Sequence, residues 1–193
     1  MLDQSTNNKR LAKNTIVLYL RMLFTMVLQL YTSRLVLQAL GVEDYGIYNV
    51  VGGVIAMLNF VNMSLSNANS RFTAVEIGSG NQDSINKVFS CIMSIHWLFA
   101  ILIIVFAETI GLWFVMTKLT LPEGRMTAAI WVYQSAVLSS IITIISSPYN
   151  GLIIAHEKMS AFAVISIFDA VAKFCIALSL FYSPIDRLIL YAI

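Results

Sequence analysis

An aspartate and a lysine, Asp169 and Lys173, stand four residues apart in a stretch from Ser160 to Tyr182 that holds no other charge. With the acid first at i, i+4 spacing, the two can pair on one face of a helix. They are the tenth and fourteenth of 23 residues, so in a membrane-spanning helix both lie near the bilayer midplane. On an insertion scale each charge costs ~2.5–3.5 kcal/mol there, while the eleven Leu, Ile, Val and Phe residues of the stretch return ~0.3–0.6 kcal/mol apiece. The sum is close to zero. Such a helix is stable only where its charges face a protein interior or a water-filled cavity, the usual mark of a substrate or ion path. A self-neutralised pair between packed helices is the structural alternative.

Other polar residues fall in apolar surroundings with helical spacing. At 100° per residue Asn14, Arg21, Thr25, Gln29 and Thr32 occupy about 80° of arc, and Arg34 projects from a different face. Both arginines also lie near enough to helix ends to reach the interface. Tyr45, Gly52, Asn59, Asn62 and Ser66 share one side of the next stretch, where the small residues also permit close helix packing. Gln134, Ser139, Thr143, Ser146 and Ser147 precede Pro148, and their hydroxyls could satisfy carbonyls that the proline frees. Glu108 is placed to reach the outer interface. His96 and His156 have no second ligand at metal spacing, and Cys91 and Cys175 sit in apolar runs without disulfide or zinc spacing. No phosphate-binding glycine loop, nucleophile elbow or exposed acidic pair is present. The residues therefore point to neither catalysis nor a bound metal or cofactor.

The elements that carry these side chains follow from composition. Of 193 residues 59% are hydrophobic and only 11% charged, against about 25% charged in a soluble domain. Mean hydropathy is +0.81. The formal charge is +2, which offers no basic surface for nucleic acid. Crossing a bilayer takes about 20 apolar residues, and the sequence predicts an all-α polytopic membrane bundle in one domain. Its five full spans are about 15–40, 45–63, 88–115, 126–147 and 160–182, and the start of a sixth lies at 188–193. The first apolar stretch is too long for a signal peptide. Gly41-Val42-Glu43-Asp44 ends span one, and span two continues as helix to Ile77 before Gly78-Ser79-Gly80-Asn81 breaks it. An N-cap at Asp83 or Ser84 opens span three, Pro122-Glu123-Gly124 turns the chain, and Pro148 kinks or ends span four. Ser183-Pro184 closes span five. Six residues of a sixth span suggest the N-terminal part of a longer protein. With the N-terminus inside, Lys9, Arg10, Lys13, Arg71, Lys87 and Lys158 face the cytoplasm, against Lys118, Arg125 and Arg187 outside.

Several runs then resemble a known family. They are Ser33-Arg34-Leu35-Val36-Leu37-Gln38-Ala39-Leu40-Gly41-Val42-Glu43-Asp44-Tyr45-Gly46-Ile47-Tyr48, Ser70-Arg71-Phe72, Glu108-Thr109-Ile110-Gly111-Leu112-Trp113, Pro148-Tyr149-Asn150 and Ile154-Ala155-His156-Glu157-Lys158. Together they look like the Wzx-type polysaccharide flippases of the multidrug/oligosaccharidyl-lipid/polysaccharide exporter superfamily. The resemblance implies two six-helix lobes around a central cavity in the bacterial inner membrane, with this chain as the first lobe and a second, C-terminal lobe as its partner. It implies as substrate an undecaprenyl-diphosphate-linked oligosaccharide for O-antigen, capsule or exopolysaccharide. Arg34 falls on the family's motif arginine. By helix placement Lys173, Asp169, Arg21, Gln29 and Asn59 are the other cavity candidates, since diphosphate in a low-dielectric bilayer needs guanidinium or ammonium partners. One lobe alone is expected not to transport, because alternating access needs two. The runner-up is a drug or cation antiporter of the same superfamily, which would favour cavity acids; the lysine one turn from Asp169 weakens a cation site.

Overall fold

The structure is a computed structural model that describes residues 2–119, 121–122, 124–156, 158–182 and 186–192, with the side chains of 2–11, 13, 58–61 and 79 left aside. Every element among the described residues is helical. The helix α1, Leu2–Ser79, is broken at Gly41, whose φ of 79° and ψ of 170° are non-helical. Its two limbs are 2–40 and 42–79. Next come α2 (Gln82–Phe106), a π-helical turn (Ala107–Gly111) and α3 (Leu112–Thr117) in one continuous run. Then α4 (Met126–Ala155), α5 (Met159–Ser179) and the short α6 (Arg187–Ala192) complete the chain.

Four stretches are long and apolar enough to cross a membrane: Asn14–Met57, Gln82–Thr117, Met126–Ala155 and Met159–Ser179. The first has 44 residues, about 66 Å of helix against a hydrocarbon core of about 30 Å. The break at Gly41 divides it.

The turn expected over Gly41–Asp44 is therefore a single residue. Gly41 supplies a positive φ that a side chain would resist, and Val42, Glu43 and Asp44 already belong to the second limb. At the other end the helix stops at Ser79, with Gly80 also at positive φ, where the glycine-rich run predicts. The α2 cap lies two or three residues earlier than expected. Asn81, not Asp83 or Ser84, accepts from the backbone N–H groups of Asp83 (3.1 Å) and Ser84 (3.4 Å), contacts worth ~1 kcal/mol at an N-cap. Pro148 does not end α4, which continues to Ala155. Ser183-Pro184 lies outside the described residues.

Packing follows small residues. On α5, Ala163, Ala170 and Ala177 are buried at seven-residue spacing, so one face recurs every two turns. Ala177 and Leu180 meet Val36 and Ala39 of the first limb. The second limb places Ile47, Val51 and Ile55 against Val132, Tyr133 and Val137 of α4, with Ala107 and Val115 in the same core. Ala100 and Ile103 of α2 pack on Ile144. The first limb thus packs on α5 and the second limb on α4, which also meets α2. Outer faces carry large exposed apolar side chains such as Leu23, Val27, Leu98 and Phe168, the arrangement suited to lipid as solvent.

Candidate functional site

The polar stripe of the first limb faces α4 and α5. Arg21, Thr25 and Gln29 line a groove of about 640 Å³ with Ser146 and Asn150 of α4 and Ser166 and Asp169 of α5. Gln29 and Ala170 also border a recess of about 180 Å³ that holds Thr32, Lys173, Tyr45, Tyr48 and Asn49. Tyr48 and Asn49 in turn border a third groove of about 440 Å³, where Gly52, Gly53, Ser139 and Thr143 lie. The three spaces share lining residues in sequence, so they adjoin in one track, most polar in the first groove and mixed in the third, which Ile55, Val132 and Ala136 also line.

Within the track the charges are arranged in two groups. Lys173 Nζ donates to Asp169 Oδ2 at 2.8 Å, and both side chains are about two-thirds exposed, at 66% and 60%. The pair therefore forms as its spacing predicts, on the open side of the bundle. Arg21 Nη1 donates to Ser166 Oγ at 2.9 Å, its guanidinium lies 4.7 Å from the Phe162 ring centroid, and its Nε is buried with no hydrogen-bond partner. This side chain packs inward onto α5 instead of reaching along its own helix to the interface.

Three of the expected residues are accompanied by neighbours that the sequence reading missed. Phe162 and Ser166 belong to the same α5 face as Asp169 and Lys173, and their spacing of three or four residues carried the signal. Asn49 turns its amide back to the Tyr45 carbonyl at 2.7 Å. Asn150 follows Pro148 directly in sequence, but only continuation of α4 through that proline brings it to the groove. Asn14 lines none of these spaces.

Arg34 is exposed and lines none of the three spaces. The structure therefore places it away from Arg21, Gln29, Asp169 and Lys173, on a different face of the limb. The side chain of Asn59 lies outside the described residues. Gln134 Nε2 donates to Glu108 Oε2 at 3.2 Å, away from the track. His96 is fully buried between Asn69 (3.1 Å) and the Ile92 carbonyl (2.9 Å). No cluster of three metal-ligating side chains occurs among the described residues.

A second charged cluster closes one end of the bundle. Arg125, at the start of α4, donates to Asp44 (2.9 Å) and to Asp186 (2.7 Å), and Arg187 donates to the Ala39 carbonyl at 3.0 Å. Asp44, in the run expected to end span one, is buried beneath Arg125. Burial in this turn raises the Asp44 carboxyl above its ordinary value, and the neighbouring Asp186 and Glu43 carboxylates push the same way against the Arg125 guanidinium.

A membrane-type helical bundle with a hydroxyl- and amide-lined track, two cationic positions and one paired acid suits a polar, anionic solute better than a metal or a small cation. No curated protein and no solved structure matches the chain. A family model does, over residues 11–193. The chain belongs to the family described as polysaccharide biosynthesis protein.

Proposed function

We propose that the chain serves the export of a lipid-linked oligosaccharide, flipping an undecaprenyl-diphosphate-linked glycan from the inner to the outer leaflet of a bacterial inner membrane. In this reading it works as one lobe of a two-lobed carrier, with five full spans, the beginning of a sixth and a cytoplasmic N-terminus. The observation that carries the proposal is the polar track, with Arg21 and Lys173 spaced along one face of a helical membrane bundle of a polysaccharide biosynthesis family. Guanidinium and ammonium suit a diphosphate, and the intervening amides and hydroxyls suit sugar hydroxyls without demanding one sugar. A cation antiporter fits less well, because Asp169 is the only acid lining the track among the described residues and Lys173 already holds it.

The charge distribution supports the orientation. The end holding Gly41 and Gly124 carries Lys118, Arg125 and Arg187, and the opposite end carries Arg71, Lys87 and Lys158; in the proposed orientation Lys9, Arg10 and Lys13 of the sequence add to the latter, which makes it the side expected to face the cytoplasm.

Deleting the gene in its host tests the function. Surface polysaccharide should disappear while the lipid-linked oligosaccharide accumulates on the inner leaflet. Loss of the glycan without that accumulation would point to an assembly enzyme, and unchanged export would reject the reading.

A further inference from the structure

Three turns of the chain meet at one carboxylate. Asp44, at the start of the second limb, is buried, and its Oδ2 accepts from Arg125 Nη2, at the start of α4, at 2.9 Å. Arg125 Nη1 donates in turn to Asp186, just before α6, at 2.7 Å, and Arg187 is turned to the Ala39 carbonyl. The other oxygen, Asp44 Oδ1, is buried with no hydrogen-bond partner among the described residues. This contact joins two helices at one end. Toward the opposite end Gly151 of α4 lies so close to the second limb that a Cβ would meet Ser70 Oγ at 3.4 Å. Ser70 stands 26 residues beyond Asp44, about 39 Å along the helix. Between the two contacts runs the groove of about 440 Å³ that holds Gly52, Gly53, Ser139 and Thr143, and Tyr48, one turn from Asp44, lines it as well.

We infer that Asp44 is a proton-binding site: a proton taken from the water at this end of the bundle holds the second limb and α4 together, and its loss lets them part. The proton goes to Oδ1, which has no donor to accept from, while Oδ2 keeps the Arg125 N–H. A neutral carboxyl is less costly to bury than a carboxylate with one oxygen unpaired. Parting the two helices puts Asp44 in water, where its proton affinity is the ordinary one. Burial raises the carboxyl above that value even with Arg125 beside it, so the joined arrangement takes the proton more readily. By linkage acid favours the joined arrangement, and a rise of pH through the carboxylate range favours the parted one. The groups that face the carboxyl are Arg125 from α4, Asp186 from the segment before α6 and Glu43 from its own limb; Arg125 opposes protonation and both acids favour it. The ligand is a proton and not a metal ion, because the Arg125 guanidinium already lies between the two carboxylates and only one oxygen of Asp44 remains free. The side chains of Arg125 and Asp186 are each 36% exposed, so water reaches the edge of the cluster. In the proposed orientation that water is outside the cell. The inference holds whatever solute the track carries.

The test is a distance measurement by pulsed electron paramagnetic resonance on the full chain in phosphatidylcholine nanodiscs. Cys91→Ala and Cys175→Ala remove the native thiols, and spin labels go on Val42→Cys and Thr127→Cys, two exposed positions beside the contact. From about pH 4 to about pH 8, a window that spans a raised carboxyl, the short distance should lose population to a longer one and regain it when the pH is lowered again. Asp44→Asn, which mimics the neutral carboxyl, should hold the short distance throughout and abolish the dependence. Asp186→Asn should keep the dependence and move its midpoint to lower pH, since it removes one of the acids that raise Asp44. A distance in the unaltered cluster that is constant across the window, or that lengthens toward acid, would overturn the site. Asp44→Asn that keeps the full dependence would overturn it as well. If Asp44→Asn fails to fold, the Asp186→Asn midpoint decides, and a midpoint unmoved or raised rejects Asp44 as the titrating group.

Discussion

Gly111 has no room for a methyl group, because a Cβ there would run into the Tyr133 hydroxyl. That hydroxyl donates to the Ala107 carbonyl at 2.7 Å, and the same carbonyl accepts the Leu112 N–H across the π turn. A single aromatic oxygen thus fixes where α2 and α3 meet α4. Gly111→Ala should lower stability by about 1–3 kcal/mol through overpacking, and Tyr133→Phe by about 1 kcal/mol for the lost hydrogen bond. Combined, the two should cost less than their sum, since removing the hydroxyl makes space for the methyl group. Thermal melting in detergent measures this, and strictly additive losses would refute the contact. The Asp169 and Lys173 pair poses a different question, because a self-neutralised pair and a substrate contact look alike in geometry. Replacing both, Asp169→Ala with Lys173→Leu, removes two charges at once and should leave insertion intact or improved. Export should nevertheless fail, as measured by surface polysaccharide at matched expression. Wild-type export by this double variant would return the pair to a packing role.

At the scale of elements, the turn at Gly41 depends on residues far from it in sequence. Asp44 lies 81 residues from Arg125, which lies 61 from Asp186, and together they hold the starts of α4 and α6 against the break in α1. Hydrophobic length and helical spacing are local, so the sequence alone reveals the helices, the polar stripe of the first limb and the i, i+4 pair. It does not reveal which charges at the helix ends meet, so the contact of Arg125 with Asp44 and Asp186 is not legible in it. The same limit applies to Arg21, whose partners Phe162 and Ser166 lie on α5, whereas the separate face of Arg34 follows from helical spacing alone. Arg125→Ala should destabilise the bundle by about 1–3 kcal/mol, because it strands a buried carboxylate, although the partial exposure of the arginine moderates the loss. The pH dependence has a definite sign. Burial already raises the Asp44 carboxyl with Arg125 in place, and Arg125 is the one influence lowering it, so in the variant the native state binds a proton there still more readily than the unfolded chain does. Stability of the variant should then rise as pH falls through the carboxylate range and be lost as pH rises through it. Asp44→Asn in the Arg125→Ala background should flatten that dependence, and melting temperature against pH reads it.

For the whole molecule, the number of basic residues at each end carries the prediction about orientation. Lys and Arg near span ends bias topology by their count, and acidic neighbours contribute little. Lys118, Arg125 and Arg187 lie at the end that holds Gly41 and Gly124, against six expected at the other end. Arg71, Lys87 and Lys158 are exposed at the opposite end; Lys9, Arg10 and Lys13 lie outside the described side chains. The expected arrangement puts Gly80 and Lys158 in the cytoplasm and Lys118 and Gly124 outside. Both native cysteines are exposed, so Cys91→Ala and Cys175→Ala must precede the test. Single cysteines at Gly80, Lys118, Gly124 and Lys158 are then treated in intact cells with a membrane-impermeant maleimide. Gly124→Cys and Lys118→Cys should label, while Gly80→Cys and Lys158→Cys should label only after permeabilisation. The reverse pattern would invert the bundle. Labelling of Gly80→Cys and Lys158→Cys from opposite sides would break the alternation of α2 and α4 on which the span order depends.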